Sequence, residues 1–365
     1  MNRVPLSLRR SFALRVVFLA FSLGTQANAA APKLAAPEYP QGAVNTEKSK
    51  QHPPSPEESL RSIRLPQGFS ASLFAAEPFV AQPISMSFDD RGRLWVAECF
   101  SYESSGGPWN QPIHDRILIL EDVDGDGQFD KRTVFADDVQ YVTSATPGFG
   151  GVWVCATPKL LFIPDRDHDD VPDGEPEVVL DGWNNGRIGQ CVFNGLVWGP
   201  DGWLYGNQGI QGESLVGKPG DSDEQRRRFN GGVWRYHPTR KIFEVVCEGT
   251  TNPWGLDWND HGEAFFTNCV IGHLWHVVPG AHYKRMYGKD YTPNTFGLIE
   301  HCADHLHWAG KNWAKSRSGK EHAELGGGHA HSGAMVYLGD NWPEKYRDTI
   351  FLSNLHGRRL NNDRL

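Results

Sequence analysis

The stretch NGLVWGPDGWLYGNQ, residues 194–208, reads as an apolar run, a turn carrying Asp and Gly, and a second aromatic-rich run. Asp and Gly at a turn between two such runs suit a tight β-hairpin. The same figure recurs in ISMSFDDRGRLWVAE (84–98) and WGLDWNDHGEAFFTN (254–268). Looser copies are PGFGGVWVCAT (147–157) and GAMVYLGDNWPEKYRDTIFLSN (333–354). Between the copies lie further paired runs: RILILED (116–122) with RTVFADD (132–138), KLLFIPD (159–165) with PEVVLDG (176–182), and GGVWRYHP (231–238) with KIFEVVCEG (241–249). Four strands per unit, repeated along the chain, are the signature of an all-β protein built as a β-propeller.

The units begin near residues 84, 146, 195, 254 and 334, which gives five recognisable blades. Closing a ring protects strand edges and blade faces, so the first and last blades must meet. GFSASLFAA (68–76) precedes the first full blade and reads as the outer strand of a final one. The chain stops at Asn361-Asn362-Asp363-Arg364-Leu365 without matching inner strands. The expectation is therefore six blades with the last incomplete; a closed five-bladed ring is the alternative.

Composition agrees with turn-rich β structure. The 365 residues include 40 Gly and 24 Pro, spread among 13 Trp, 19 Phe and 10 Tyr. Aromatics at that density exclude disorder for most of the chain, and Gly and Pro would break most long helices. The first 29 residues carry four Arg, an apolar run from Val16 to Leu23 and the small-x-small site Ala27-Asn28-Ala29. This is the pattern of an export signal, too short to span a bilayer. An exported protein, periplasmic or attached to the cell envelope, is expected. Losing those four positive charges takes the formal net charge from −8 to −12, a poor balance for nucleic acid. Residues 30–54 are rich in Ala, Pro and polar residues and read as a linker, leaving 55–365 for the propeller. Ser55-Pro56-Glu57-Glu58 carries a cap, a first-turn Pro and a capping-box Glu, predicting one short helix to about Arg64. The six cysteines (Cys99, Cys155, Cys191, Cys247, Cys269 and Cys302) include no C-x-x-C pair. Zinc ribbons and covalent haem therefore have no support. Disulfides and buried free thiols both remain open.

Three groups of residues could carry chemistry. Asp122, Asp124, Asp126 and Asp130 share their spacing with Asp165, Asp167, Asp169 and Asp173. Carboxylates at alternate turn positions can converge on calcium, although the closing Glu of an EF-hand is absent and Asp170 replaces the turn Gly. Solvated hairpin tips are the alternative, and the role is structural either way. The second group is His301, Asp304, His305 and His307, with His329 and His331 before an apolar strand and His356 and Arg358 in LSNLHGRR. Residues two apart on a strand share a face, so paired imidazoles could meet at the channel and take a proton from a substrate. The third is GWNNGRIGQCVFNG (182–195), where Arg187 could bind a carboxylate and Asn194 lies beside it in the motif. Trp198, Trp203 and Tyr205 read as blade packing rather than as sugar platforms.

FNGLVWGPDGWLYGNQG, NGGVWRYHPTRKIFEV, CADHLHW and GGGHAHSGAMVYLGDNWP also carry a resemblance. Together with GTTNPWGLDWNDHGEAFFTNCVIGHLWHVVPGAHYKRMYG, they resemble the propeller of the PVC-type haem-binding CxxCH proteins, known under the label membrane-bound dehydrogenase. The match covers about residues 60–365. In that family the propeller is followed by helical repeats and a cytochrome c domain, which implies a cytochrome electron acceptor. This chain has no C-x-x-C-H, so no covalent haem is carried over. The propeller is more distantly similar to soluble quinoprotein sugar dehydrogenases, which use pyrroloquinoline quinone (PQQ) and calcium. Their base is a His eight residues before the G-P-D-G turn; position 191 here is Cys191, and Gly195 replaces the Arg that follows in their pattern. A dehydrogenase would have to use the histidine cluster instead.

Two functions follow as expectations. One is a quinoprotein-like dehydrogenase propeller oxidising a sugar or alcohol, with Arg187, Asn194, His356 or Arg358 holding the cofactor. The other is a non-catalytic propeller binding a polysaccharide or protein partner. A metal-dependent lactonase would need carboxylate and amide ligands around one metal, and no such set stands out.

Overall fold

The computed structural model describes residues 34–43, 52–102, 113–184, 186, 189, 191–292, 294–304 and 330–365. The expected export signal lies outside them. Helix α1 (Pro56–Ser62) starts where the capping box predicts: Glu58 N donates to Ser55 Oγ (3.2 Å) and Ser55 N to Glu58 Oε2 (2.9 Å). Among the described residues no helix is long and apolar enough to cross a membrane.

The rest is a propeller of five blades, all within the unit Ala36–Leu365. Blade 1 is β1 (Pro83–Phe88), β2 (Leu94–Glu98), β3 (Asp115–Glu121) and β4 (Lys131–Val139). Blade 2 is β5 (Val142–Pro147), β6 (Gly151–Ala156), β7 (Lys159–Pro164) and β8 (Glu177–Asp181). Blade 3 comprises β9 (Phe193–Trp198), β10 (Leu204–Gln208), β13 (Gly232–His237) and β14 (Ile242–Glu248). A small hairpin, β11 (Ser214–Val216) with β12 (Arg227–Phe229), is inserted after β10. Among the described residues blades 4 and 5 show three strands each: β15 (Pro253–Trp258), β16 (Ala264–Asn268) and β17 (Leu274–His276), then β18 (His331–Val336), β19 (Thr349–Asn354) and β20 (Arg359–Arg364). Every blade is an antiparallel meander, and β1, β5, β9, β15 and β18 adjoin one another in turn as the inner strands.

Apolar residues fill the seams. Trp95, Ile117 and Phe135 of blade 1 pack with Val152 and Val154 of blade 2, and Trp153 and Leu160 with Phe193, Leu204 and Trp234 of blade 3. Val233 and Tyr205 meet Phe266 and Trp275, and Leu274 meets Val336, Ile350 and Leu352. Burying each such side chain contributes about 1.5–3 kcal/mol.

The inner strands add a polar relay. In all five blades the pairing of the inner strand with its neighbour is interrupted near its start, as expected of bulges in a tightly curved sheet. Interrupted ladders leave backbone groups that need partners, and the preceding blade supplies them. Ser87 Oγ donates to Ala145 O (3.2 Å), and Ser85 Oγ accepts from Ala145 N (3.2 Å). Thr143 Oγ1 donates to Phe193 O (2.5 Å), and Ser144 Oγ accepts from Leu196 N (3.0 Å). Asn194 Nδ2 donates to Pro253 O (3.2 Å). Thr267 Oγ1 donates to Gly333 O (3.2 Å), while Asp257 Oδ2 accepts from Val336 N (2.8 Å).

Two expectations change. The inner strand of blade 2 begins at Val142, ahead of the expected start, because VTSAT is too polar to be recognised as a buried strand. Residues 68–76 form no strand. They run as irregular chain, with Phe129 N donating to Phe74 O (3.3 Å) on blade 1. At the other end Phe69 sets its ring against Trp342 and Tyr346 of blade 5.

Candidate functional site

Of the expected site residues, His305, His307, His329 and Arg187 lie outside the described residues. The remainder divide between two ends of the ring and one blade seam.

The seam between blades 4 and 5 gathers a histidine pair. The turn between β16 and β17 is organised by Asn268, whose Nδ2 donates to Ile271 O (2.8 Å) and whose Oδ1 accepts from Thr251 N (3.1 Å) and Asn252 N (2.7 Å). Within it Val270 adopts φ 99°, a conformation that a β-branched residue holds only under local strain. The turn delivers His273, 1% exposed, to the start of β17. Its ring lies 5.0 Å from that of His331, which is equally buried at the start of β18. His273 Nε2 is hydrogen-bonded to Asp363 on β20, and its Nδ1 lies 3.8 Å from Asp304 Oδ1. Burial pulls its pKa down, but Asp304 and Asp363 outweigh it, so the value rises above the ordinary histidine value.

His331 pairs with Asn354 across β18 and β19, and Asn354 Oδ1 accepts from Gly357 N (2.8 Å) in the turn carrying His356 and Arg358. Arg358 is exposed, with φ 51°. The seam therefore brings His331 and Asp304 of the expected set together with His273 and Asp363, which sequence reasoning missed, and His356 and Arg358 stand on the turn that Asn354 holds. His301 belongs elsewhere: its ring packs edge-on against Trp275 (5.6 Å) and covers Gly272.

Asn194 is fully buried, with Nδ2 shared between Val192 O (2.9 Å) and Pro253 O, and so joins blades 3 and 4. Cys191, at the place of the sugar-dehydrogenase base, is a buried thiol whose pKa burial pushes up to about 12. It is no proton acceptor near neutrality.

The acidic loops lie at the end of the ring where inner strands finish. Asp122, Asp124 and Asp130 approach one another, as do Asp165, Asp167 and Asp169. Much of their oxygen is already occupied by backbone. Asp122 Oδ1 accepts from Gly125 N (2.7 Å) and Oδ2 from Gly127 N (2.9 Å), while Asp130 Oδ2 accepts from Val123 N (2.7 Å). Asp126 Oδ1 accepts from Gln128 N (2.8 Å), and Asp173 Oδ2 from Arg166 N (2.6 Å). Both loops turn through positive φ at matching places: Gly125 and Gly127 in the first, His168 (58°) and Asp170 (70°) in the second. Asp170, which replaces the turn Gly, binds Arg93 of blade 1 through both oxygens (2.9 and 2.7 Å).

A further cluster was not expected. Glu248, His282 and Asp290 bring ligand atoms within 4.8 Å of one another. Arg227 binds Glu248 (2.7 Å) and Arg285 binds Asp290. Two guanidinium groups and the His282 ring (Nδ1 3.1 Å from Asp290) beside two carboxylates make this an ionic latch holding residues 282–292 on blade 3.

The sequence model of one family, described as a domain of unknown function (DUF7133), matches residues 55–362. No curated protein matches the chain. Among solved structures it is similar to the PQQ-bound aldose sugar dehydrogenase from Streptomyces coelicolor, at 16% identity over 78% of each chain and a TM-score of 0.46. It is also similar to an oxidoreductase described as a glucose dehydrogenase from Thermus thermophilus (17%, 77% of this chain and 78% of that, TM-score 0.46). An auxiliary nutrient binding protein from Bacteroides ovatus is a third (11%, 79% and 60%, TM-score 0.40). Likenesses this weak carry no functional argument.

Proposed function

The chain belongs to the DUF7133 family, and from its own site we propose that it is the propeller of an exported, quinoprotein-like dehydrogenase oxidising a sugar or alcohol. The observation that carries this is the buried pair His273–His331 with Asp304 and Asp363 at the seam of blades 4 and 5. Asp304 and Asp363 hold His273 toward its protonated form, so it positions and polarises; His331 beside it is the imidazole proposed to take the hydroxyl proton of the substrate, whose C–H hydrogen would leave with both electrons as hydride to the acceptor. The donors present fit a polyanionic quinone in kind: His356 and Arg358 stand on the turn adjoining His331, and Arg187 is a further candidate from sequence. Bound there, PQQ would supply the two-electron acceptor, and a cytochrome c would take the electrons onward. A cation in either acidic loop would be structural, because both loops sit at the other end of the ring from His331.

The second reading, a non-catalytic propeller that binds a glycan or protein, draws on Cys191: the expected base position holds an inert thiol. Dye-linked oxidation by the full chain, with PQQ and calcium added and a panel of sugars and alcohols, separates the two. The dehydrogenase reading expects turnover that His331→Ala reduces by about 10²-fold or more. Absence of dye reduction on every substrate, with cofactor shown to be bound, would overturn it.

A further inference from the structure

Three of the five inner hairpins share a turn chemistry that blade 2 lacks. In blade 1, Asp89 Oδ1 accepts from Arg91 N (3.0 Å) and Arg93 N (2.8 Å); in blade 4, Asn259 Oδ1 accepts from His261 N (3.0 Å) and Glu263 N (2.9 Å). Blade 3 places Asp201 in the corresponding turn, with Oδ1 accepting from Trp203 N (3.2 Å). Blade 2 instead turns through Pro147-Gly148-Phe149-Gly150, and its tip is an aromatic ring. Phe149 is 54% exposed and held at φ 55°. An exposed bulky side chain in left-handed backbone is unfavourable twice over, and the other hairpins show that the turn does not require it. Such strain points toward a use.

The ring of Phe149 is braced from behind. Trp198 lies against it with centroids 4.8 Å apart, and Trp198 Nε1 donates to Pro147 O (2.8 Å), which fixes the indole. Gly148 permits this closeness, since a Cβ there would stand 2.7 Å from the indole. The two rings form one wall of a cleft of about 390 Å³, within the range of small-ligand sites. Phe88, Asp90, Arg91, Asp165 and His168 complete the part that could meet a ligand. Arg93 is occupied by Asp89 and Asp170, so the charges left to the cleft are the Arg91 guanidinium, which donates to His168 O (3.3 Å), the exposed Asp90 carboxylate and the largely buried Asp165 carboxylate. Two carboxylates disfavour an anion, and the guanidinium beside them opposes a cation. Donors and acceptors beside a rigid aromatic face match a neutral polyol ring, whose C–H face stacks while its hydroxyls bond the rim.

We infer that this cleft, at the end of the ring where inner strands finish, is a binding subsite for a neutral sugar ring, separate from the histidine seam. Phe149 is the platform, and Arg91 and the exposed Asp90 orient the hydroxyls. Isothermal titration of the full chain with neutral disaccharides (cellobiose, xylobiose, maltose and galactobiose), and with glucuronate-containing and sulfated counterparts, tests this. At least one neutral sugar should bind. Phe149→Ala should weaken that binding roughly tenfold or more, Phe149→Tyr should retain it, and Arg91→Leu should weaken it independently. His331→Ala should leave it unchanged, so the subsite stands or falls apart from the dehydrogenase reading. No neutral sugar binding at millimolar concentration, binding confined to the charged sugars, or binding indifferent to Phe149→Ala with unchanged circular dichroism would each overturn it.

Discussion

Replacing Gly255 by Ala tests how closely the blades approach. Gly255 sits on β15, and a Cβ there would lie 2.4 Å from Gly333 C and 2.5 Å from Ala334 N, both backbone atoms of blade 5. Ordinary contact needs about 3.4 Å or more, so β18 must retreat by about 1 Å. Overpacking of that kind costs about 1–3 kcal/mol. The same retreat stretches the bond from Val336 N to Asp257 Oδ2, now 2.8 Å, beyond hydrogen-bonding length. Asp257 is a carboxylate whose pKa burial already raises, and stranding it adds about 1–3 kcal/mol. The total is about 2–6 kcal/mol, or roughly 3–9 °C in Tm for a domain of this size. Gly262→Ala is the control: it has φ +79° but open space around it, so only the left-handed penalty of about 1–2 kcal/mol applies. Urea titration of both variants decides the matter. If Gly255→Ala costs no more than Gly262→Ala, the blades do not meet as described and the relay between them is not structural.

Other outcomes follow from named contacts. His273 has a raised folded pKa, so its contribution is fully present below the unfolded value of about 6.5 and is lost as pH rises through the higher folded value. Urea midpoints of the wild type should therefore fall between mildly acid and mildly alkaline pH, and Asp363→Asn should flatten that slope; an unchanged slope would separate His273 from Asp363. Asp170→Asn should destabilise by about 1–3 kcal/mol, because Arg93 is largely buried and loses a charged partner, whereas Asp167→Asn in the same loop should be near neutral. Equal effects in denaturant titration would show that Asp170 is merely another loop carboxylate.

Much of the fold was legible because hairpins with Asx-Gly turns announce themselves. β9, β10, β15 and β16 begin and end close to the quoted motifs. VTSAT was missed for a physical reason: Thr143 and Ser144 are polar yet buried because they bond to blade 3, and hydrophobic alternation has no way to represent that. Residues 68–76 misled in the opposite sense, since apolar alternation there serves contacts with blades 1 and 5 rather than a ladder. At the candidate site, His331, Asp304 and His356 stood among the residues that histidine density singled out. His273 and Asp363 were not, because they are 90 residues apart and only the blade 4–blade 5 seam joins them. His301 carried the same local signal as His331 but packs on Trp275.

The relay along the inner strands has a direction. Ser85 and Ser87 complete backbone groups of blade 2, Thr143 and Ser144 those of blade 3, Asn194 one of blade 4, and Asp257 and Thr267 those of blade 5. In these seven contacts the side chain belongs to the earlier blade and the backbone group to the later one, whereas Trp198 of blade 3 donates back to Pro147 O of blade 2. A chain emerging from a ribosome, amino terminus first, would thus have each blade's polar template in place before the strand that needs it is made. Most polar bonds between neighbouring inner hairpins thus need no side chain that has yet to be made.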